Sequence, residues 1–313
     1  MRAPFFSIVI PTRNEAEDIL STLESIRANT DGDFEVLVVD ASMDRTPEIV
    51  LGFGDPRFHL LPQDNRDGRC GARNQGIRAA RGEVVVILNA DVRLPRGFLE
   101  SLRKHYSNGA DYLIVDSRVE NANHPNGFLV EAIHQRLYRE GRETVDWCEG
   151  YSCRKECAIE SGLFPVGLPV PMCAGEDAVF GQNMAAKFRR AEDWGLCVPH
   201  RVPETLCGFW GTRAEKGRGV PQRRAWIEGW GYGRILQESL WWLVKSLLWF
   251  ALVFPWLLKA RDLAAAVPGR AGEWPKLIRP LLFDRFAHEI GRWQGVAMVF
   301  RKKLEVRSEK LEG

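Results

Sequence analysis

The strongest constraint on the fold is an alternation in the first 120 residues. Phe5–Ile10, Glu35–Asp40, Phe58–Leu61, Val84–Leu88 and Tyr112–Val115 are short, mostly β-branched apolar runs bounded by turn residues, the pattern of buried strands. Between them, Glu15–Ala28, Pro47–Phe53, Gly71–Ala80 and Pro95–Tyr106 carry helical patterning, with Pro47 and Pro95 expected at first helical positions. Strands and helices taking turns predict a doubly wound α/β domain built on a mostly parallel sheet. In such sheets ligands bind outside the carboxyl ends of the strands, so the residues that follow each strand carry the functional expectation.

Those positions share a chemistry. Pro11-Thr-Arg-Asn-Glu15 follows the first strand, Asp40-Ala-Ser-Met-Asp44 the second and Asn89-Ala-Asp91 the fourth. Three acidic or amide clusters on one rim suit a hydroxylated ligand and a hard cation, Mg²⁺ or Mn²⁺, which prefers carboxylate and phosphate oxygens. Taken singly, each cluster is equally a turn or a helix cap. Farther along, Gly150–Pro165 carries a strand-like piece and a short helix, and Phe128–Glu140 reads as helical. Gly175-Glu-Asp177 opens a helix that runs through Lys187, and a short strand Leu196–Pro199 ends at His200.

These pieces, in this order, resemble the inverting family 2 glycosyltransferases of the GT-A fold. The resemblance covers roughly residues 5–215. It rests on Ser7-Ile-Val-Ile-Pro-Thr-Arg-Asn-Glu15, Val38-Val-Asp-Ala-Ser-Met-Asp44, Gly71-Ala-Arg-Asn-Gln-Gly76 with Ala80-Arg-Gly-Glu83, Leu88-Asn-Ala-Asp91, Gly162-Leu-Phe-Pro165 and Gly175-Glu-Asp177. The resemblance implies a nucleoside-diphosphate sugar as donor. Asp40 would face its base or ribose, with Pro11, Asn14 and Glu15 lining the same pocket, and Arg73 and Asn74 would seat the pyrophosphate. Asn89-Ala-Asp91 stands where the family carries Asp-x-Asp, which makes Asp91 the implied ligand of a divalent cation. Asn89 departs from that pattern, since an amide bonds a hydroxyl but brings no charge. Asp177 would be the catalytic base, Glu176 a helix cap or acceptor contact, and His200 a further metal ligand. An inverting transfer needs only one such base.

Composition matters through its gradient. Residues 1–200 hold 23 Lys/Arg against 30 Asp/Glu, whereas residues 201–313 hold 20 against 11, together with nine of the eleven tryptophans. The division expected is a catalytic domain over 1–215 and a basic, Trp-rich helical extension over 216–313. Only Lys245 is charged within residues 239–258, and Pro255 should kink that stretch. Its length is borderline for a span, and its tryptophans and flanking Arg234, Lys259 and Arg261 suit a headgroup boundary. An interfacial or re-entrant segment, a span, and a buried soluble helix or oligomer contact all fit it. Leu277–Phe300, with Arg279, Arg285 and Arg292, has the pattern of a second amphipathic helix.

The expected partners are thus a sugar donor, a lipid-linked or membrane-proximal acceptor and a membrane surface, with no nucleic acid. Seven cysteines without a Cys-x-x-Cys pair, and a start that runs straight into a strand, lead us to expect the cytoplasmic face of a membrane. Gln222-Arg-Arg-Ala-Trp226 has its second Arg one place early for the Gln-x-x-Arg-Trp motif of processive synthases, so transfer of a single sugar is expected. Gly229-Trp-Gly-Tyr-Gly233 reads as an acceptor-side loop, and Arg213, Lys216 and Arg218 as a basic loop, either solvated or closing on pyrophosphate. Two other functions stay open: a nucleotidyltransferase of similar architecture, and a catalytically silent membrane-attached scaffold, which Asn89 favours.

Overall fold

A computed structural model describes residues 3–29, 31–64, 66–137 and 149–312, with side chains through residue 305 except that of Val253. The end of the expected helix at 138–140, and Cys148, lie outside the described residues. The chain divides into two compact units, one formed by 1–118, 145–171 and 176–201, the other by 119–144, 172–175 and 202–313. The expected boundary lay at 215; here the second unit already contains the helix that begins at Leu206.

The first unit is built on the alternation seen in the sequence. Its elements run β1 (Phe6–Thr12), α1 (Ile19–Arg27), β2 (Phe34–Asp40), α2 (Thr46–Leu51), β3 (Phe58–Pro62), α3 (Gly68–Ala79), β4 (Val84–Ile87), α4 (Phe98–Ser107) and β5 (Tyr112–Val119). After α5 (Pro125–Leu137), which belongs with the second unit, come β6 (Tyr151–Arg154), α6 (Lys155–Glu160), α7 (Glu176–Ala185) and β7 (Arg190–His200). The seven strands form one sheet in the order β3-β2-β1-β4-β6-β5-β7. β1 through β4 are parallel, while β6 enters antiparallel between β4 and β5. The sheet is therefore mostly parallel, with one reversed strand that local patterning does not announce.

Alternate strand residues feed opposite faces. Ile8, Ile10, Val36, Val38, Val84 and Val86 pack with α1, α2 and α4 in one core. Val9, Leu37, Val85 and Ile87 pack with α3, α6 and α7 in the other. Both faces being covered explains why these strands read as continuous apolar runs. Two helices start later than expected, α1 and α4. Asn14, in a left-handed conformation at φ 60°, delays α1 to Ile19. Gly97, at φ 76°, separates Pro95 from α4, so that proline precedes the helix instead of opening it.

The opposite edge of this sheet, at the amino ends of its strands, is locked by a buried carboxylate. Glu35 accepts from Ser7 Oγ at 2.7 Å and from the backbone N–H and Nε of Arg81, each at 2.7 Å. Gly82 donates its N–H to Ser7 Oγ, and a Cβ there would fall 2.7 Å from the backbone of Phe6 and Ser7. The segment Ala80-Arg-Gly-Glu83 is thus a structural clamp. Burial would raise the carboxyl of Glu35, but the bonds from Ser7 and Arg81 outweigh it and hold it below its usual range.

The second unit is helical: α5, α8 (Leu206–Trp226), α9 (Tyr232–Ala251), α10 (Val253–Ala266), a 3-10 turn at Ala271–Glu273 and α11 (Pro275–Glu312). Its core gathers Phe128 and Leu129 of α5, Phe209 of α8, Leu263 of α10 and Leu277 and Leu281 of α11. Arg213, Lys216 and Arg218 correct the loop expectation, for they lie on α8, where Arg213 pairs with Asp284. Glycines on these helices serve close packing. A Cβ at Gly217 would sit 2.1 Å from the carbonyl oxygen of His288, and one at Gly291 would sit 2.0 Å from that of Ala214. The α8–α11 crossing is therefore a backbone-to-backbone contact. Gln222 is buried on α8, accepting from Cys173 N at 2.9 Å, and Gly229–Gly231 links α8 to α9.

Candidate active site

The sheet order reverses at β1 and β4, and the loops leaving that switch point form the site. The β1 and β2 loops are laced together. Asn14 Oδ1 accepts from Met43 N at 2.9 Å, Asn14 N donates to Ser42 Oγ at 2.7 Å, and Glu15 N donates to Thr46 Oγ1 at 2.9 Å. Asp40, buried at the end of β2, accepts from Thr12 Oγ1 at 2.7 Å and from Ser42 N at 3.1 Å. Pro11 pairs with Val39 inside the β1–β2 ladder, half-buried behind the loop. Thr22 Oγ1 of α1 donates to Ala90 O at 2.6 Å, which fixes the Asn89-Ala-Asp91 turn against the same helix.

A second line of contacts crosses the site from α3 to α7. Arg73 is buried, donating Nη1 to Glu176 Oε1 at 3.0 Å and Nη2 to Asn89 Oδ1 at 3.2 Å, with its guanidinium 5.1 Å from the Phe164 ring. Arg69, one helical turn earlier, reaches the same Glu176 oxygen at 3.2 Å. Glu176 is thus engaged by two cations; although burial alone would raise its carboxyl, Arg69 and Arg73 hold it below its usual range. Asn74 turns the other way and uses its amide on backbone, donating to Phe164 O at 2.9 Å and accepting from Phe164 N at 3.0 Å. That anchors the Gly162-Leu-Phe-Pro165 turn, in which Leu163 is left-handed at φ 65°.

For the remaining carboxylates burial and like charge outweigh the compensation, to which Arg73 contributes for Asp177 and His200 for Asp91. Burial, then the charges of Asp91, Asp18 and Asp44, push Glu15 up to about 7. Burial and Glu149 raise Asp91, with His200 near enough to oppose them. Burial and Glu176 push Asp177, in the first turn of α7, up to about 6, with Glu149 adding to the rise. Asp177 Oδ1 accepts from Ala178 N at 2.8 Å, and His200 Nδ1 lies 3.0 Å from Ser117 Oγ. Glu149 and Arg69 are site residues that the sequence did not point out. Arg69 could have been found four residues before Arg73 on one helix face. Glu149 has no such signal, because only folding brings it to within 3.5 Å of Asn89.

A cluster of mutually repelling carboxylates is a place where a cation fits. Among the described residues no three His, Cys, Asp or Glu side chains are placed to hold an ion by themselves. A Mg²⁺ or Mn²⁺ ion needs only one or two protein carboxylates, completing its shell with water and ligand phosphates.

Comparison with known proteins agrees with this geometry. Residues 7–155 match the model of the family described as glycosyl transferase family 2. The succinoglycan biosynthesis protein ExoO of Rhizobium meliloti is 40% identical over 91 residues, 29% of this chain and 26% of that protein. The glycosyltransferase AglE of Haloferax volcanii is 35% identical over 129 residues, 40% of this chain and 42% of that protein. The matched stretches thus span less than half the length of these relatives. Among solved structures, the mannosyltransferase PcManGT of Pyrobaculum calidifontis, in complex with GDP-Man and Mn²⁺, shares the fold at a TM-score of 0.61 and 21% identity, over 95% of this chain and 88% of that one. TarS 1–349 of S. aureus, solved with UDP-GlcNAc, does so at 0.52 and 18% identity, over 95% and 92%. With its strand-end clusters and its mostly parallel sheet, the segment 7–155 is similar to glycosyl transferase family 2, and the chain as a whole shares the fold of these transferases.

Proposed function

We propose that this protein transfers one sugar, with inversion, from a nucleoside-diphosphate sugar to a hydroxyl or phosphate acceptor presented at a membrane. The observation that carries the reading is the division within Glu176-Asp177. Glu176 is fixed by Arg69 and Arg73, whereas the carboxyl of Asp177 is pushed up to about 6, the range suited to a base working near neutrality. In this reading the acceptor oxygen attacks the anomeric carbon as the bond to the diphosphate breaks, and a hydroxyl acceptor passes its proton to Asp177. A phosphate acceptor is already ionised and needs no such transfer. Arg73 positions both Glu176 and Asn89, while Asp40, Pro11, Asn14 and Glu15 shape the donor side.

Asp91, with Glu149 and His200 beside it, would hold a divalent cation, which supplies charge neutralisation to the departing diphosphate. GDP-Man with Mn²⁺ and UDP-GlcNAc in proteins of the same fold support the donor class. Cys70, Cys153, Cys157 and Cys207 are free thiols, which suits a reducing, cytoplasmic setting.

The test is a thermal-shift series with UDP, GDP, dTDP and CMP, each with Mn²⁺ and with EDTA. A ligand at about 100 times its Kd stabilises the native state by about 2.7 kcal/mol. Stabilisation by one nucleoside diphosphate with metal, followed by turnover of its sugar, is the expected result. Stabilisation that survives EDTA would remove the metal from the reading. No shift with any nucleotide would favour the silent scaffold, the reading that Asn89 supports.

A further inference from the structure

The helix α9 carries large apolar residues on its outer side as well as its inner one. The side facing its own unit runs through Ile235, Ser239, Trp242, Ser246 and Trp249, and both serines are 1% exposed. Ser246 there donates to Glu289 Oε2 at 3.0 Å and accepts from Arg285 Nε at 3.0 Å, a buried polar seam. The opposite side carries Leu236, Leu240, Val244, Leu247 and Leu248 at helical spacing, with Trp241 beside them, and Leu247 is 59% exposed. The apolar surface continues past the helix end through Leu252, Phe254, 70% exposed, and Leu258. A helix in contact with water turns its large apolar residues inward and its polar ones outward, whereas a helix apolar on its outer side as well, with serines buried on the inner side, suits surroundings of hydrocarbon.

The chain bends within this surface. Pro255 excludes a continuous helix because its ring would clash with the carbonyl of Ala251, and α9 ends at that residue. No single helix among the described residues is long and apolar enough to cross a membrane. The pair Tyr232–Ala251 and Phe254–Ala266 reaches that hydrophobicity only jointly, and is bent by 92°.

Charge selects the occupant. Glu238 is paired with Arg224 at 3.0 Å and Asp262 with Arg136 at 3.1 Å, so the acids of the elbow are neutralised. Of its four cations, Lys259 lies 3.8 Å from Asp262, and the other three lie on tryptophan rings: Arg234 is 3.6 Å from the centroid of Trp230, Lys245 is 4.7 Å from Trp241 and 4.9 Å from Trp242, and Arg261 is 5.0 Å from Trp274. Lysine and arginine stems laid along aromatic rings at the border of an apolar face match the headgroup level of an anionic bilayer.

We propose that the α9–α10 elbow is a one-leaflet membrane anchor that dips Leu247, Leu248, Leu252 and Phe254 into the acyl region of an anionic bilayer, with Arg234, Lys245 and Arg261 at the headgroups. It extends the membrane-presented acceptor of the proposed function to a defined docking surface, and its test requires neither donor nor acceptor.

Full-length protein is floated with vesicles of phosphatidylcholine alone and of phosphatidylcholine mixed with phosphatidylglycerol. The expected result is flotation with the mixed vesicles, weaker flotation with the neutral ones, and transfer to fresh vesicles added in excess. The double variant Leu247→Asp, Leu248→Asp should lower the bound fraction by more than about tenfold, given the cost of acids in hydrocarbon. Lys245→Gln should weaken binding only to the anionic vesicles. Far-UV circular dichroism and thermal unfolding of the variants, without any ligand, check their folding separately from binding. Equal flotation of wild type and double variant overturns the proposal. So does a wild type that stays down and forms a dimer abolished by the double variant, since a second copy then covers the face. Protein that floats but never moves to fresh vesicles would indicate a span and overturn the one-leaflet assignment.

Discussion

The two ends of the sheet in the first unit hold buried carboxylates under opposite conditions. At the amino ends, Glu35 is matched by Ser7 and Arg81 and held below its usual range. At the carboxyl ends, Glu15, Asp91 and Asp177 crowd together and are raised. The first arrangement stabilises the fold. The second destabilises the empty protein and is relieved by whatever positive charge the site receives, so the difference separates the residues that maintain the sheet from those that act on a ligand. Family motifs contribute to both ends, since Ala80-Arg-Gly-Glu83 belongs to the clamp and Gly175-Glu-Asp177 to the site.

The largest effect should come from Asp177→Asn. Turnover with a hydroxyl acceptor should fall by roughly 10²–10⁴-fold while donor-induced thermal stabilisation persists. Initial rates and thermal shifts on the same preparation check this, and unchanged rates would remove Asp177 as the base. Wild-type rates should rise with pH through about 6, as Asp177 loses its proton.

Next in size is Glu35→Ala, which leaves Arg81 and Ser7 without their partner. Breaking a buried pair costs about 3–5 kcal/mol, and the half-exposed Arg81 places this one at or below the lower end. Denaturant unfolding measures it. The lowered carboxyl of Glu35 contributes stability that is present above its unfolded pKa and lost as the pH falls, so the variant should lose its disadvantage in acid.

The smallest effect has the opposite sign. Asp177 and Glu15 are raised in the folded state, so each contributes stability below its unfolded pKa that disappears as the pH rises through about 6 and about 7. Asp177→Asn should therefore stabilise the nucleotide-free protein near neutrality by about 1–3 kcal/mol, and Glu15→Gln, at a half-exposed site screened by solvent, by less than about 1 kcal/mol, each with less gain near pH 4. Melting temperatures across that range would show the wild type and variants converging in acid. Parallel curves would mean that the carboxylates at this end of the sheet do not repel as described.

Much of the first unit was legible because its information is local. Strand cores such as Val36–Val39 and Val84–Ile87 are buried on both faces, so their composition alone marks them, and the polar residues after them fall where the topology needs a site. The reversed β6 was not legible as a neighbour of β4, because antiparallel pairing across more than 60 residues leaves no periodicity. Asn74 stood in the right motif, yet its amide is bound to Phe164 backbone, a contact set by tertiary approach. In the second unit, the basic residues Arg213, Lys216 and Arg218 suggested a loop where α8 runs, and nothing local announced that Gly217 and Gly291 permit two helices to touch. For α9 the apolar content of 239–258 was evident, but which side faced inward depended on Ser246 meeting Glu289 and Arg285.

The α8–α11 crossing has a consequence for how this protein can vary. At Gly217 and Gly291 the obstacle to a larger residue is a carbonyl oxygen on the opposite helix, which cannot rotate aside as a side chain can. A methyl group at either position therefore requires the helices to separate, and no single neighbouring substitution restores the distance. Laboratory evolution of this unit should leave both glycines untouched while diversity accumulates elsewhere on the same helices. A recombination library is best cut outside Leu206–Trp226 and Pro275–Glu312, so that the two halves of the crossing are inherited together.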